Sequence, residues 1–187
     1  MEKPIPFRRA STTPGERLIG KPELPRQGFA MHLVAGTETL PDEYQLKVGR
    51  FMDHEIYSDE PRHIGGTDKY PPPMSYIAMG VGFWLLTQLA RYAAMMKLKI
   101  KKASCRVEFD YVLRGSVLKA TVNTTWEGVK THIEVESIEP PEKIAALVRI
   151  AKGGCFAENM ITQAVPLTSE VKLNGEALEI KGITPEG

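Results

Sequence analysis

Hydrophobic and polar positions alternate with a period of two along several stretches of this chain, the pattern of half-buried strands. Phe29, Met31 and Leu33 alternate with Ala30, His32 and Val34. After the turn residues Pro41-Asp42, Tyr44, Leu46 and Val48 alternate with Gln45, Lys47 and Gly49, and a third extended piece covers His54–Tyr57. The clearest alternation puts Ala103, Cys105, Val107, Phe109 and Tyr111 on one face and Ser104, Arg106, Glu108 and Asp110 on the other. Val129, Thr131, Ile133 and Val135 then alternate with Lys130, His132, Glu134 and Glu136. The spacing predicts strands over 103–111, 116–126 and 129–137, turning at Arg114-Gly115 and at Glu127-Gly128, in a meander with one wet face. Asn174-Gly175 marks a closing hairpin.

Between these strands the period changes. From Tyr70 to Ala90 there is no charged residue, and Pro72 and Pro73 suit the first turn of a helix over about 74–97. Roughly 20 apolar residues can cross a bilayer. The opening prolines, Ser75, Thr87, Gln88 and Arg91 instead favour a helix buried in a globular core. Gly80 and Gly82 inside it predict close packing of another element. A second helix follows Pro140-Pro141, with Ile144, Leu147, Val148 and Ala151 at helical spacing. Gly153-Gly154 breaks it, Cys155 comes next, and Phe156–Gln163 forms a second helical piece. Strands, helix, strands, broken helix, strands is the order of an α+β fold. Residues 28–187 form one domain. Residues 1–27, with Pro4, Pro6, Pro14, Pro22 and Pro25 and a mild excess of basic residues, form an N-terminal extension.

Charge narrows the function classes. With 24 Lys and Arg against 23 Asp and Glu, the net charge is +1, which gives no general pull toward nucleic acid. Two cysteines are too few for a disulfide-stapled scaffold of this size, and the N-terminus lacks the apolar stretch of a signal peptide. The expected compartment is the reducing cytoplasm.

Cys155 is the foremost candidate for chemistry, because backbone N–H groups at a helix start favour the thiolate, the nucleophilic form. The competing reading is a small buried hydrophobe. Cys105 sits on the apolar face of its strand beside Ala103 and Val107 and reads as core, with nothing in the pattern relating it to Cys155. His32, His54, His63 and His132 lack zinc-site spacing, and no phosphate loop, dinucleotide fingerprint or nucleophile elbow appears. No metal and no cofactor are expected. Tyr76, Phe83 and Trp84 give the first helix a bulky aromatic stripe, read either as core packing or as the wall of a hydrophobic pocket.

One ordered set of features resembles a known family. Tyr57-Ser58-Asp59-Glu60-Pro61, then Gly65-Gly66-Thr67-Asp68, then prolines opening a long apolar helix, then the strands, a cysteine in a broken second helix and Val165-Pro166-Leu167 resemble the OsmC/Ohr family of hydroperoxide reductases. The resemblance covers 44 to 180. It implies an intertwined homodimer with two central helices, the second broken, packed against antiparallel sheets. It also implies two working cysteines: one in the long helix attacks the peroxide, and one in the broken helix resolves the sulfenic acid, while an arginine and a glutamate polarise the thiolate. The second cysteine falls on Cys155 and the first on Phe83. The glutamate falls on or beside Pro73, and Glu158 is a substitute carboxylate near Cys155. The arginine falls to Arg26 or Arg17. Losing the attacking thiol removes the step on which two-cysteine chemistry depends. The expected protein is an OsmC-like homodimer that binds a small hydrophobic ligand at the former active site, around Phe83, Trp84 and Cys155. The rival expectation is a one-cysteine organic hydroperoxide reductase using Cys155. Neither a nucleic-acid nor a membrane partner is expected.

Overall fold

A computed structural model of the chain describes residues 5–6, 23–24 and 26–185. A short parallel pair joins β1 (Ile5–Pro6) to β2 (Phe29–Ala30). An antiparallel meander follows, made of β3 (Gly36–Leu40), β4 (Glu43–Phe51) and β5 (His54–Ser58). Its first turn is at Pro41-Asp42, as the pattern predicts, with Asp42 in the left-handed region at φ 63°. Leu46 and Val48 of β4 are buried, which fixes the register by placing their face inward. The expected strand over 29–34 is shorter than predicted. Only Phe29–Ala30 pairs, Met31, Leu33 and Val34 are exposed, and the strand before Pro41 begins at Gly36.

The first long helix, α1, runs Pro73–Met95, close to the range its apolar pattern predicts. β6 (Ile100–Arg114) and β7 (Asn123–Ser137) then form a long antiparallel ribbon of 15 residues per strand. Glu127-Gly128 is not a turn between two strands but a bulge inside one. Asp110 pairs with Gly128 and Tyr111 with Trp126, leaving Glu127 as the extra residue. The chain turns after Arg114, as predicted, but 115–122 is the connection and the returning strand begins only at Asn123. Trp126 meets both Phe109 and Tyr111 with ring centroids 5.4 Å away, and cross-strand aromatic contacts of this kind keep the ribbon running through the bulge.

α2 (Pro141–Gly153) and α3 (Phe156–Thr162) are the two pieces of the broken helix. β8 (Lys172–Leu173) and β9 (Glu176–Ala177) close the chain as a hairpin, with Asn174 and Gly175 both at positive φ, as a two-residue primed turn requires. The α+β architecture read from the sequence is therefore the observed one.

The core lies where α1 meets β6 on one side and α2 and α3 on the other. Leu85, Leu89, Ala93, Leu147, Ala151 and Cys155 are its buried members. Gly82 is buried against β6, but Gly80 faces open space, so one glycine of the pair meets the expected neighbour. The opposite flank of α1 leaves Ile77, Gly80, Phe83, Thr87, Ala90 and Ala94 exposed, an uncharged stripe at helical spacing. Among the described residues, no helix is long and apolar enough to cross a membrane.

Candidate functional site

The break between α2 and α3 is pinned to the middle of α1. Gly154 allows a close approach: a Cβ there would lie 2.4 Å from the Tyr92 hydroxyl oxygen and would displace that ring. This close approach lets Gln88, buried on α1, donate through Nε2 to the Gly154 carbonyl at 2.5 Å. Arg91 Nη1 donates in turn to Gln88 Oε1 at 2.9 Å. Asn159 Nδ2 donates to the carbonyls of Cys155, at 2.9 Å, and Gly153, at 3.2 Å. Cys155 itself caps α3 in an extended conformation.

Cys155 is fully buried. Burial pushes its thiol pKa up, and the nearby Glu158 carboxylate adds to the rise. The backbone N–H groups of Glu158 and Ala157 pull the other way, as a helix start should, and so does the Lys152 cation. Burial wins because the walls around the sulfur are leucine and alanine, which stabilise no charge.

Next to this junction lies a cavity of about 640 Å³ between α1, the α2–α3 break and the segment before β3. Its walls include Phe29, Met31, Trp84 and Phe156 on the apolar side, and Gln88 and Arg91 on the polar side. Trp84 and Phe156 pack ring against ring at 5.3 Å. The indole N–H of Trp84 is buried and has no hydrogen-bond partner among the described residues. A void of this size, mostly apolar with a few convergent polar groups, is of the kind that holds small molecules.

Of the residues singled out in the sequence, Trp84 lines this cavity, and Cys155 lies in the core between two lining residues, Gly154 and Phe156. Phe83 does not line it. It is 66% exposed, because successive residues on a helix point about 100° apart and Trp84, not Phe83, faces the broken helix. Pro73 is the first residue of α1, away from the cavity lining. Arg26 is exposed and also outside the lining, and Arg17 lies outside the described residues. Glu158 belongs to a second, smaller hollow of about 290 Å³ with Val129, Thr131 and Lys152. There it pairs with Lys152 at 2.5 Å and accepts from Thr131 Oγ1 at 3.3 Å. Gln88, Arg91 and Asn159 were missed by sequence reasoning. Gln88 and Arg91 could have been found as polar positions interrupting an otherwise apolar helix. Cys105 packs against the core, as its place on the apolar face of the strand predicts, and the cluster it meets is the one that contains Cys155.

The loop between β5 and α1 is a second structured feature. Asp59 is buried and accepts from Thr67 Oγ1 at 2.6 Å and from the backbone N–H groups of Thr67, Lys69 and Glu60 at 3.0, 3.0 and 2.7 Å. The Thr67 hydroxyl is the largest cause of a carboxyl pKa far below the usual range, with the three backbone N–H groups adding to it against the opposing effect of burial. Gly66 in this loop has no alternative residue, since a Cβ would lie 1.7 Å from the Glu60 carbonyl oxygen.

This order of elements, with the anchored loop before a proline-capped long helix and a cysteine at the break of a second one, matches a known sequence family. Residues 66–170 match the family model described as OsmC-like protein. The chain belongs to the OsmC-like family. Solved structures share the fold at low sequence identity. An OsmC-like protein from Mycoplasma pneumoniae superposes with a TM-score of 0.58 at 15% identity, covering 70% of this chain and 87% of that one. An OsmC-like hydroperoxide resistance protein from Jannaschia sp. CCS1 gives 0.53 at 18% identity, with 77% and 93% covered. An organic hydroperoxide resistance protein from Legionella pneumophila gives 0.51 at 18%, with 68% and 88% covered. No curated protein matches the sequence. Among the described residues of this OsmC-like chain, no group of three or more His, Cys, Asp or Glu side chains is arranged to hold a metal ion.

Proposed function

We propose that this OsmC-like protein lacks efficient two-cysteine peroxide chemistry and binds a small hydrophobic molecule in the cavity beside Trp84. The observation that carries this reading is the cavity itself, with an apolar wall of Phe29, Met31, Trp84 and Phe156 and polar groups at one side. Trp84 faces the broken helix from α1, and its ring packs against that of Phe156 with centroids 5.3 Å apart. A ligand here gains burial of its apolar body and meets the buried indole N–H with any acceptor it carries.

The sequence has two tryptophans, Trp84 and Trp126, so the Trp126→Phe variant leaves Trp84 as the sole reporter. Titration with the neutral apolar dye N-phenyl-1-naphthylamine is expected to give saturable energy transfer from Trp84, and the dye is expected to raise Tm. A linear, unsaturable signal with unchanged Tm would sink the reading.

The rival, reduction of organic hydroperoxides through Cys155 alone, draws on family membership and on relatives described as hydroperoxide resistance proteins. The burial of Cys155 and its raised pKa weigh against it. Turnover of cumene hydroperoxide with a dithiol reductant, abolished in Cys155→Ser, would establish the rival.

We also propose that the protein acts as a homodimer. The uncharged stripe of α1 through Ile77, Gly80 and Phe83 supports this, as do the exposed Tyr111, Leu113 and Trp126 on the β6–β7 ribbon. A helix apolar all round needs cover on both flanks. Sedimentation equilibrium is expected to give twice the chain mass, and Phe83→Glu to shift it toward the single chain.

A further inference from the structure

The two cysteines of the chain stand 50 positions apart in sequence, at 105 and 155, but the fold brings them into one core. Strand alternation turns Cys105 to the face of β6 that also carries Ala103, and pairs it with Ile133 of β7; all three pack against the buried cluster. That face lies against α1 at Gly82, where an added Cβ would sit 3.7 Å from the Cys105 carbonyl oxygen and 3.9 Å from its Cβ. Cys155 enters the same core from the α2–α3 break, among Leu85, Leu89, Leu147 and Ala151. No disulfide links them, and both are free thiols.

The two thiols also share an electrostatic environment. Burial is the main cause of a raised pKa at each. Glu158 raises both further and Lys152 lowers both, and ionised Cys155 raises Cys105 in its turn. Glu158 and Lys152 line the small hollow on β7, and one Glu158 carboxylate oxygen is buried there without a hydrogen-bond partner among the described residues. The Glu158–Lys152 ion pair thus acts on both thiols from the hollow on β7, which meets the cavity at Trp84 through Asn159.

We propose that Cys105 and Cys155 form a reversible disulfide within one chain, tying strand β6 to the break in the second helix. A disulfide needs Cα atoms about 4.4–6.8 Å apart, so β6 and the helix break must meet that spacing when the bond closes. The oxidant is a small-molecule disulfide. Cys105 is the more exposed thiol and reacts first. Its thiolate attacks one sulfur of the small disulfide, whose S–S bond breaks and whose other half leaves as a thiolate that takes up the proton lost by Cys105. The Cys155 thiolate then attacks the Cys105 sulfur of the mixed disulfide, forming the Cys105–Cys155 bond and releasing the second small thiol with the Cys155 proton. Two protein thiols lose two electrons, and one small disulfide becomes two small thiols. Because burial holds both thiols protonated, closure is slow at neutral pH and speeds up as the pH rises. The inference is independent of ligand binding at Trp84.

The test is to incubate the full-length protein with oxidised glutathione at alkaline pH, then to measure intact mass and alkylation under denaturing conditions. The expected product is about 2 Da lighter than the reduced chain, single-chain in size without reductant, and closed to alkylation at both cysteines; it reverts with dithiothreitol. Its Tm is expected to rise by about 10 °C, since a closed loop of this length constrains the unfolded chain. Cys155→Ala is expected to stop at a glutathione adduct on Cys105. A wild type that stops at the Cys105 adduct, keeps both thiols free, or cross-links only between chains would overturn the proposal. The wild-type mass decides this even if the variant fails to fold.

Discussion

Asp59 and Cys155 are both buried, both ionisable, and both stand just before a short helical turn or helix, yet the protein drives them in opposite directions. Asp59 accepts four hydrogen bonds from Thr67, Lys69 and Glu60 and is held as a carboxylate. Cys155 has two backbone N–H groups on one side and aliphatic walls on the rest, and is held as a thiol. Burial penalises charge in both places. What decides the outcome is whether enough donors converge to replace the lost water. The loop was built to hold a charge and the helix break to keep one out. That is the opposite of what a fast peroxidatic thiol requires.

The largest effect is expected at the apolar wall. Leu85 is fully buried in the cluster with Cys155, so Leu85→Ala is expected to destabilise the fold by about 2–5 kcal/mol, measured by urea unfolding. The same variant is expected to speed alkylation of Cys155 by admitting water. An unchanged alkylation rate would mean that the aliphatic wall is not what suppresses the thiolate.

On the polar side, Asp59→Asn removes the charge but keeps one acceptor, and Tm is expected to fall at neutral pH. The folded pKa of Asp59 is depressed, so its contribution is complete above the ordinary carboxylate value of about 3.9 and is lost as pH falls through the folded pKa. The difference in Tm between wild type and Asp59→Asn should therefore shrink on acidification below about pH 4. A constant difference would show that the carboxylate charge is not the stabilising feature.

Gly154→Ala tests the link between the break and α1. Its Cβ would collide with the Tyr92 hydroxyl, and the expected cost is about 1–3 kcal/mol, read by thermal or urea unfolding. The smallest effect is kinetic. At neutral pH, Cys155 in the wild type is expected to react with iodoacetamide more slowly than a free thiol, and the rate should climb as pH rises past about 8.5. Reaction at the rate of a free thiol would reopen the one-cysteine peroxidase reading.

Local chemistry alone made much of the fold legible. Proline at the first turn, an uncharged run, a glycine pair before Cys155 and Asn-Gly near the end each act within a few residues, and each element stands where they place it. Glu127-Gly128 misled because a turn and a bulge use similar residues. The cross-strand contacts of Trp126 distinguish them, and those depend on residues far along the chain.

The site was legible in part. Trp84 and Cys155 could be named from the sequence, because an aromatic stripe and a cysteine after a helix break are local signals. Which of Phe83 and Trp84 faces the break depends on the rotation of α1 about its axis, and that is set by packing against β6, α2 and α3. The same packing turned Gln88 inward onto Gly154 and brought Cys105 into the core of Cys155. The sequence by itself determined which elements form and that one thiol stands at the helix break, because those follow from interactions over a turn or two. Only the tertiary structure decided that this thiol is sealed in an apolar core beside a cavity, because burial is a property of all the neighbours together.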